Sequence, residues 1–80
     1  MRHYIHEVNV IIDGELSEIV RVGSAGDFNL NMIKDMAIKI ARENHPNAKL
    51  APVLLNQREV SIEEYRQIMG ANPPWLNNIE

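Results

Sequence analysis

The stretch that decides the fold is Tyr4-Ile5-His6-Glu7-Val8-Asn9-Val10-Ile11-Ile12-Asp13-Gly14-Glu15-Leu16-Ser17-Glu18-Ile19-Val20-Arg21-Val22. Its first nine residues put Tyr4, His6, Val8, Val10 and Ile12 on one side of an extended chain, the period of two expected of a half-buried strand. Asp13-Gly14 interrupts the run, and because Gly reaches positive φ without a Cβ clash the pair reads as a hairpin turn. A second strand over about residues 15–22 carries Leu16, Glu18, Val20 and Val22 on its even side. A two-residue turn would set Val10 opposite Ser17 and His6 opposite Arg21. A three-residue loop, Ile12-Asp13-Gly14, sets Val10 opposite Leu16 and Tyr4 opposite Val22. That joins apolar side to apolar side and is the register expected. It leaves Glu18 on the apolar side, near a sheet edge or bulge, and turns Ile19 outward beside Ile5 and Ile11.

Gly23-Ser24-Ala25-Gly26 reads as a loop. A helix follows, starting near Asp27 or Asn29, either of which suits an N-cap, and ending near Asn44. Leu30, Ile33, Ala37, Ile40 and Ala41 fall on one helical stripe and are the expected core contacts. His45-Pro46 stops the helix, since the residue before proline avoids the α region. A third strand over about residues 49–55 contains Pro52, which has no N–H to give a ladder, so it belongs at an edge. Ser61-Ile62-Glu63-Glu64 is a capping box, with Val60 and Tyr65 at the staple positions, and Gly70 is placed to end that short helix.

The expected fold is an α+β domain of ββαβα order spanning residues 1–70. It is a three-stranded antiparallel sheet in the order 2-1-3, with the long helix on one face and the short C-terminal helix closing an end of that layer. Residues 71–80 form a Pro-led tail that packs on the domain or on a partner.

Composition bounds what such a domain can do. The chain has 80 residues, no cysteine and a formal net charge of -3, and its pI is about 5.5. Disulfides, thiolate metal sites and cysteine nucleophiles are excluded. The acidic balance opposes bulk attraction to nucleic acid. No apolar run approaches the ~20 residues of a membrane span, and the first residues lack the apolar stretch of a secretory signal, so a cytoplasmic location is expected.

Candidate chemistry is sparse. His3 and His6 lie three apart, which on a strand sends them to opposite faces, and two histidines fall short of a zinc ligand set. Of the serines, Ser61 is accounted for as a cap, and Ser17 and Ser24 lie outside a nucleophile elbow. Glu63 and Glu64 serve the helix dipole. Gly23-Ser24-Ala25-Gly26 lacks the lysine of a phosphate-binding loop, and Asp27 would repel a phosphate. No enzyme activity, cofactor or metal is expected. Lys34, Ile38, Arg42 and His45 form one row on the long helix that could face phosphates, but Asp35 and Glu43 dilute it. A nucleic-acid-associated regulator using Lys34, Arg42 and His45 is therefore the alternative reading, with nucleic acid not the expected partner.

Surplus apolar surface is the informative feature. Ile5, Ile11 and Ile19 share the outer sheet face, Met32 and Met36 flank the core stripe, and Trp75, Leu76 and Ile79 sit in the tail. Either the short helix and tail cover the outer face, or a partner does, because contiguous exposed apolar area marks binding surfaces. The partner-binding candidates are Ile5, Ile11, Ile19, Met32, Met36, Trp75 and Leu76. A protein partner or a homodimer is expected, with Trp75 as first anchor. At the Pro52 edge, contact by side chains is expected over backbone pairing.

The segment from Glu7 to Asn47 resembles a pattern in small phage and prophage proteins. Its parts are the hairpin Val8-Asn9-Val10-Ile11-Ile12-Asp13-Gly14, a polar loop, and a helix ending in His45-Pro46-Asn47-Ala48. In size, acidity and plan the chain is similar to several anti-CRISPR and host-takeover proteins. The resemblance implies a phage-encoded inhibitor acting in the host cytoplasm on a host defence or nucleic-acid-processing complex. An acidic decoy of nucleic acid built on Glu15, Glu18, Glu63 and Glu64 is one mode. The resemblance carries over no site residue.

Overall fold

A computed structural model describes residues 2–26 and 28–73. Its elements are β1 (His3–Ile12), β2 (Leu16–Ala25), α1 (Leu30–Asn44), β3 (Leu50–Val60) and α2 (Ile62–Met69). The three strands form one antiparallel sheet in the order β2-β1-β3. The α+β class, the ββαβα order and the strand order are those expected.

The hairpin keeps the expected pairing of even side with even side but slides by two residues. Ile12 faces Leu16, Val10 faces Glu18 and Val8 faces Val20. The loop is Asp13-Gly14-Glu15, with Asp13 at φ 53 and Gly14 at φ 72. A contact remote in sequence explains the shift. The Asp13 N–H donates to the Lys49 carbonyl at 2.8 Å, and its carboxylate accepts from the Lys49 N–H at 2.9 Å. The turn is therefore clamped to the start of β3, and Glu15 is left in the loop.

Both later strands outrun their expected lengths. β2 continues through Gly23, Ser24 and Ala25, which pair with Ile5, Tyr4 and His3. β3 continues to Val60, past a bulge where Glu7 faces Asn56, Val8 faces Leu54, and Leu55 has no opposite number. The bulge resets the alternation, so that Leu50 and Leu54 pack towards α1 while Val60 reaches the outer face.

Asn29 caps α1: its side chain accepts from the N–H groups of Asn31 and Met32. The alternative cap, Asp27, lies outside the described residues. Ile33, Ala37 and Ala41 are buried against Val8, Val10, Val20 and Val22. Leu30 and Ile40 are not core residues, as they are 43% and 42% exposed. The helix is rolled so that Ile38, on the far flank, packs instead.

α2 corrects another expectation. It does not close the end of the α1 layer but lies on the opposite sheet face, where Tyr65 packs with Ile5 and Val60, and Ile68 and Met69 join them. The capping box forms as read. Ser61 Oγ accepts from the Glu64 N–H at 3.1 Å, and the Ser61 N–H donates to Glu64 Oε1 at 3.2 Å. Gly70 ends the helix in the left-handed region, at φ 74.

Candidate functional site

The outer sheet face has a covered end and an open end. At the covered end α2 buries Ile5, and the ring of Tyr65 lies directly on Gly23: a Cβ there would come within 2.6 Å of Tyr65 Cζ. Ile5 is thus core rather than binding surface, correcting its place among the partner-binding candidates. At the open end Asn9 sits on the central strand between Ile19 of β2 and Val53 of β3, its direct cross-strand neighbours. Ile11 is next along β1, between Ser17 and Ala51. Ile19 is 58% and Val53 44% exposed, and Ile11 is half-buried. Among the described residues Asn9 Oδ1, a buried atom, has no hydrogen-bond partner, which is a cost to the fold.

Other candidates are separated from this surface. Met32 and Met36 are exposed, with Ile40 one turn on, but they belong to α1 on the opposite side of the sheet. Trp75, Leu76 and Ile79 lie outside the described residues. Pro73, the last described residue, is buried.

Arg42 and His45 of the basic row on α1 are engaged internally. Arg42 donates to the carbonyls of His45 and Pro46, at 3.4 and 3.5 Å, and to that of Ala48, closing the C-terminal end of the helix. His45 lies 3.5 Å from the Glu18 carboxylate, which explains how a glutamate is tolerated on the α1 side of β2. Lys34 is half-buried. The acidic residues are also dispersed. Glu15 is in the hairpin loop, Glu18 meets His45, and Glu64 serves the α2 cap and lies 3.5 Å from Arg58.

A cleft of about 110 Å³ lies between α2 and the strands, lined by Ile5, Glu7, Arg21, Asn56, Arg58 and Ile68. Glu7 pairs with Arg21 at 3.5 Å and accepts from Asn56 Nδ2 at 3.4 Å. The space is well below the ~300 Å³ at which small-molecule pockets begin.

One polar cluster was missed by the sequence reading. His6 is fully buried on the α1 side, with Nδ1 3.3 Å from Gln57 Oε1 and Nε2 2.7 Å from Ser24 Oγ. The Gln57 carbonyl can only accept, so Nδ1 carries the proton and Nε2 accepts from the serine hydroxyl. Phe28 meets the imidazole edge-on at 4.6 Å, and Tyr4 lies at 6.4 Å. Burial pushes the His6 pKa below its ordinary value, partly offset by the Gln57 bond. A serine, a neutral histidine and an amide in series resemble a nucleophile with its base. Here they also satisfy every hydrogen-bonding atom of a buried imidazole and tie β1 to both neighbours. The signal that could have found them was His6 on an apolar strand face, with Ser24 hidden in a segment read as loop and Gln57 just past the expected end of the third strand. His3 points to the other face, as expected from the spacing. Among the described residues no group of three or more His, Asp or Glu is placed to hold a metal ion.

No family model, curated protein or solved structure matches the chain. Among the described residues no helix is long and apolar enough to cross a membrane.

Proposed function

We propose that the chain is a non-enzymatic protein-binding module that docks a partner protein on the open half of its outer sheet face. One observation carries this reading: α2 stops halfway along the face. Among the described residues nothing covers Ile11, Ile19 and Val53, which lie around Asn9. The complementary surface is apolar. Such a contact would remove apolar area from water. The non-enzymatic reading is supported by the use of the Ser24–His6–Gln57 series to complete the core. The resemblance to phage inhibitors adds a direction for the search, a host defence or nucleic-acid-processing complex as the target.

The test compares wild type with Ile11→Ser, Val53→Glu and Met36→Ser. Proteins captured by the wild type are purified and titrated against all four forms. A partner binding at micromolar strength or better, weakened at least about tenfold by Ile11→Ser and by Val53→Glu but not by Met36→Ser, supports the reading. Affinity indifferent to both sheet substitutions, or sensitive only to Met36, refutes it. A salt-dependent shift of DNA or RNA abolished by Lys34→Ala would move the function to the nucleic-acid alternative.

A further inference from the structure

The two edges of the sheet are built differently. On β3, Pro52 lacks an N–H and Leu55 stands out of register at the bulge. Both features protect an edge from another strand. β2 has neither. It runs ten residues without proline and pairs with β1 without a register shift. Among the described residues no backbone–backbone hydrogen bond ties β2 to a part of the chain other than β1. β2 also carries the two most exposed large hydrophobic residues of the described chain, Leu16 at 67% and Ile19 at 58%.

We propose that β2 pairs antiparallel with β2 of a second copy of this chain about a two-fold axis at Ile19, joining two sheets into one of six strands. The occupant follows from how β2 matches itself. A two-fold axis normal to the sheet keeps the α1 side of both copies together, so even-numbered residues must face even-numbered ones. An axis at Glu18 sets two carboxylates against each other, and an axis at Arg21 sets two guanidinium groups together. An axis at Val20 places Ile19 against the partner's Arg21. With the axis at Ile19, Ile19 meets the partner's Ile19 and Leu16 meets the partner's Val22. Glu18 then faces the partner's Val20, and Arg21 faces the partner's Ser17. Like charges are not opposed, and both exposed apolar residues gain apolar neighbours. The pairing shares Ile19 with the open face but requires neither Ile11 nor Val53, so substitutions at those two positions separate it from docking there.

The chain has no native cysteine, so single cysteines report this geometry directly. Directly opposed residues in an antiparallel pair have Cα atoms ~4.5–5.5 Å apart, within disulfide reach. Ile19→Cys, Ser17→Cys and Val53→Cys are oxidised with glutathione disulfide, and light scattering follows the mass of wild type, Ile19→Lys and Val53→Lys over a concentration series. The expected result is a dimeric wild type, disulfide dimers forming at least about tenfold faster at residue 19 than at 17 or 53, and a dissociation constant raised about tenfold or more by Ile19→Lys but not by Val53→Lys. Circular dichroism checks that each variant is folded, as expected for exposed positions. A wild type that stays monomeric at several hundred micromolar overturns the proposal. So does cross-linking at 53 as fast as at 19, which indicates contact through the faces. A monomer that dimerises only after removal of residues 74–80 gives the edge to the chain's own tail and equally overturns it.

Discussion

His6 has zero exposure, and both its ring nitrogens are engaged while it is neutral. Burial lowers its pKa in the folded protein, so the unfolded chain takes up its proton first as pH falls. The stability owed to the neutral ring is therefore complete above the ordinary histidine value of about 6.5. It is lost as pH drops from there through the lower, folded-state value. Denaturant titrations between pH 7.5 and 5 are expected to show stability falling with acid, by up to about 1.4 kcal/mol per pH unit for one proton. His6→Leu should flatten that slope whatever it does to stability at pH 7.5. An unchanged slope would show that another group carries the acid sensitivity. Gly23 makes a different demand, for space rather than charge. With the Tyr65 ring lying on it, Gly23→Ala is expected to cost about 1–3 kcal/mol, the usual penalty for overpacking. The same substitution should cost much less in a Tyr65→Ala background. Equal costs in the two backgrounds would mean that the ring does not set the requirement.

The elements were legible to different depths for identifiable reasons. The alternation in β1 and β2 announces which sides face inward, and the Ser61–Glu64 cap needs only four residues to declare itself. Register did not come through, because Asp13 is held by Lys49, 36 residues away, and no local pattern records that bond. Gly23-Ser24-Ala25 has a loop's composition and becomes strand only because His3, Tyr4 and Ile5 pair with it and Tyr65 needs the glycine. Asn56-Gln57-Arg58-Glu59 is polar, yet it completes β3. The candidate surface was half legible for the same reason. Ile11 and Ile19 follow from alternation, whereas Val53 joins them only once β3 is in register. A helical stripe likewise cannot say how the helix is rolled on its sheet. Ile33, 1% exposed, and Ile40, 42% exposed, share the stripe and separate in the fold. Ile33→Ala is expected to cost about 2–5 kcal/mol, as large-to-small changes in a core do, and Ile40→Ala less than about 1 kcal/mol. Equilibrium denaturation of the pair checks this, and comparable losses would contradict the roll.

For the molecule as a whole, β1 is the shared wall between two cores. On one side Ile33, Ala37 and Ala41 of α1 close over Val8, Val10, Val20 and Val22. On the other, α2 holds a smaller cluster of Ile5, Val60 and Tyr65, and Tyr65 is the only residue of that helix fully in the core. Eight residues are too few to stay helical unaided, so α2 depends on that packing and on its cap. Among the described residues no second layer on the outer face braces it from the side. Opening of α2 should then cost less than global unfolding, while β1 is protected by strands on both edges. Native-state hydrogen exchange is expected to rank amides in the order β1, then α1, then α2. Tyr65→Ala should bring α2 exchange near that of an unstructured peptide while α1 amides keep most of their protection. If α1 and α2 amides exchange with one common free energy, and Tyr65→Ala lowers both alike, the two cores form a single cooperative unit. The smaller one could not then yield independently when something docks beside it.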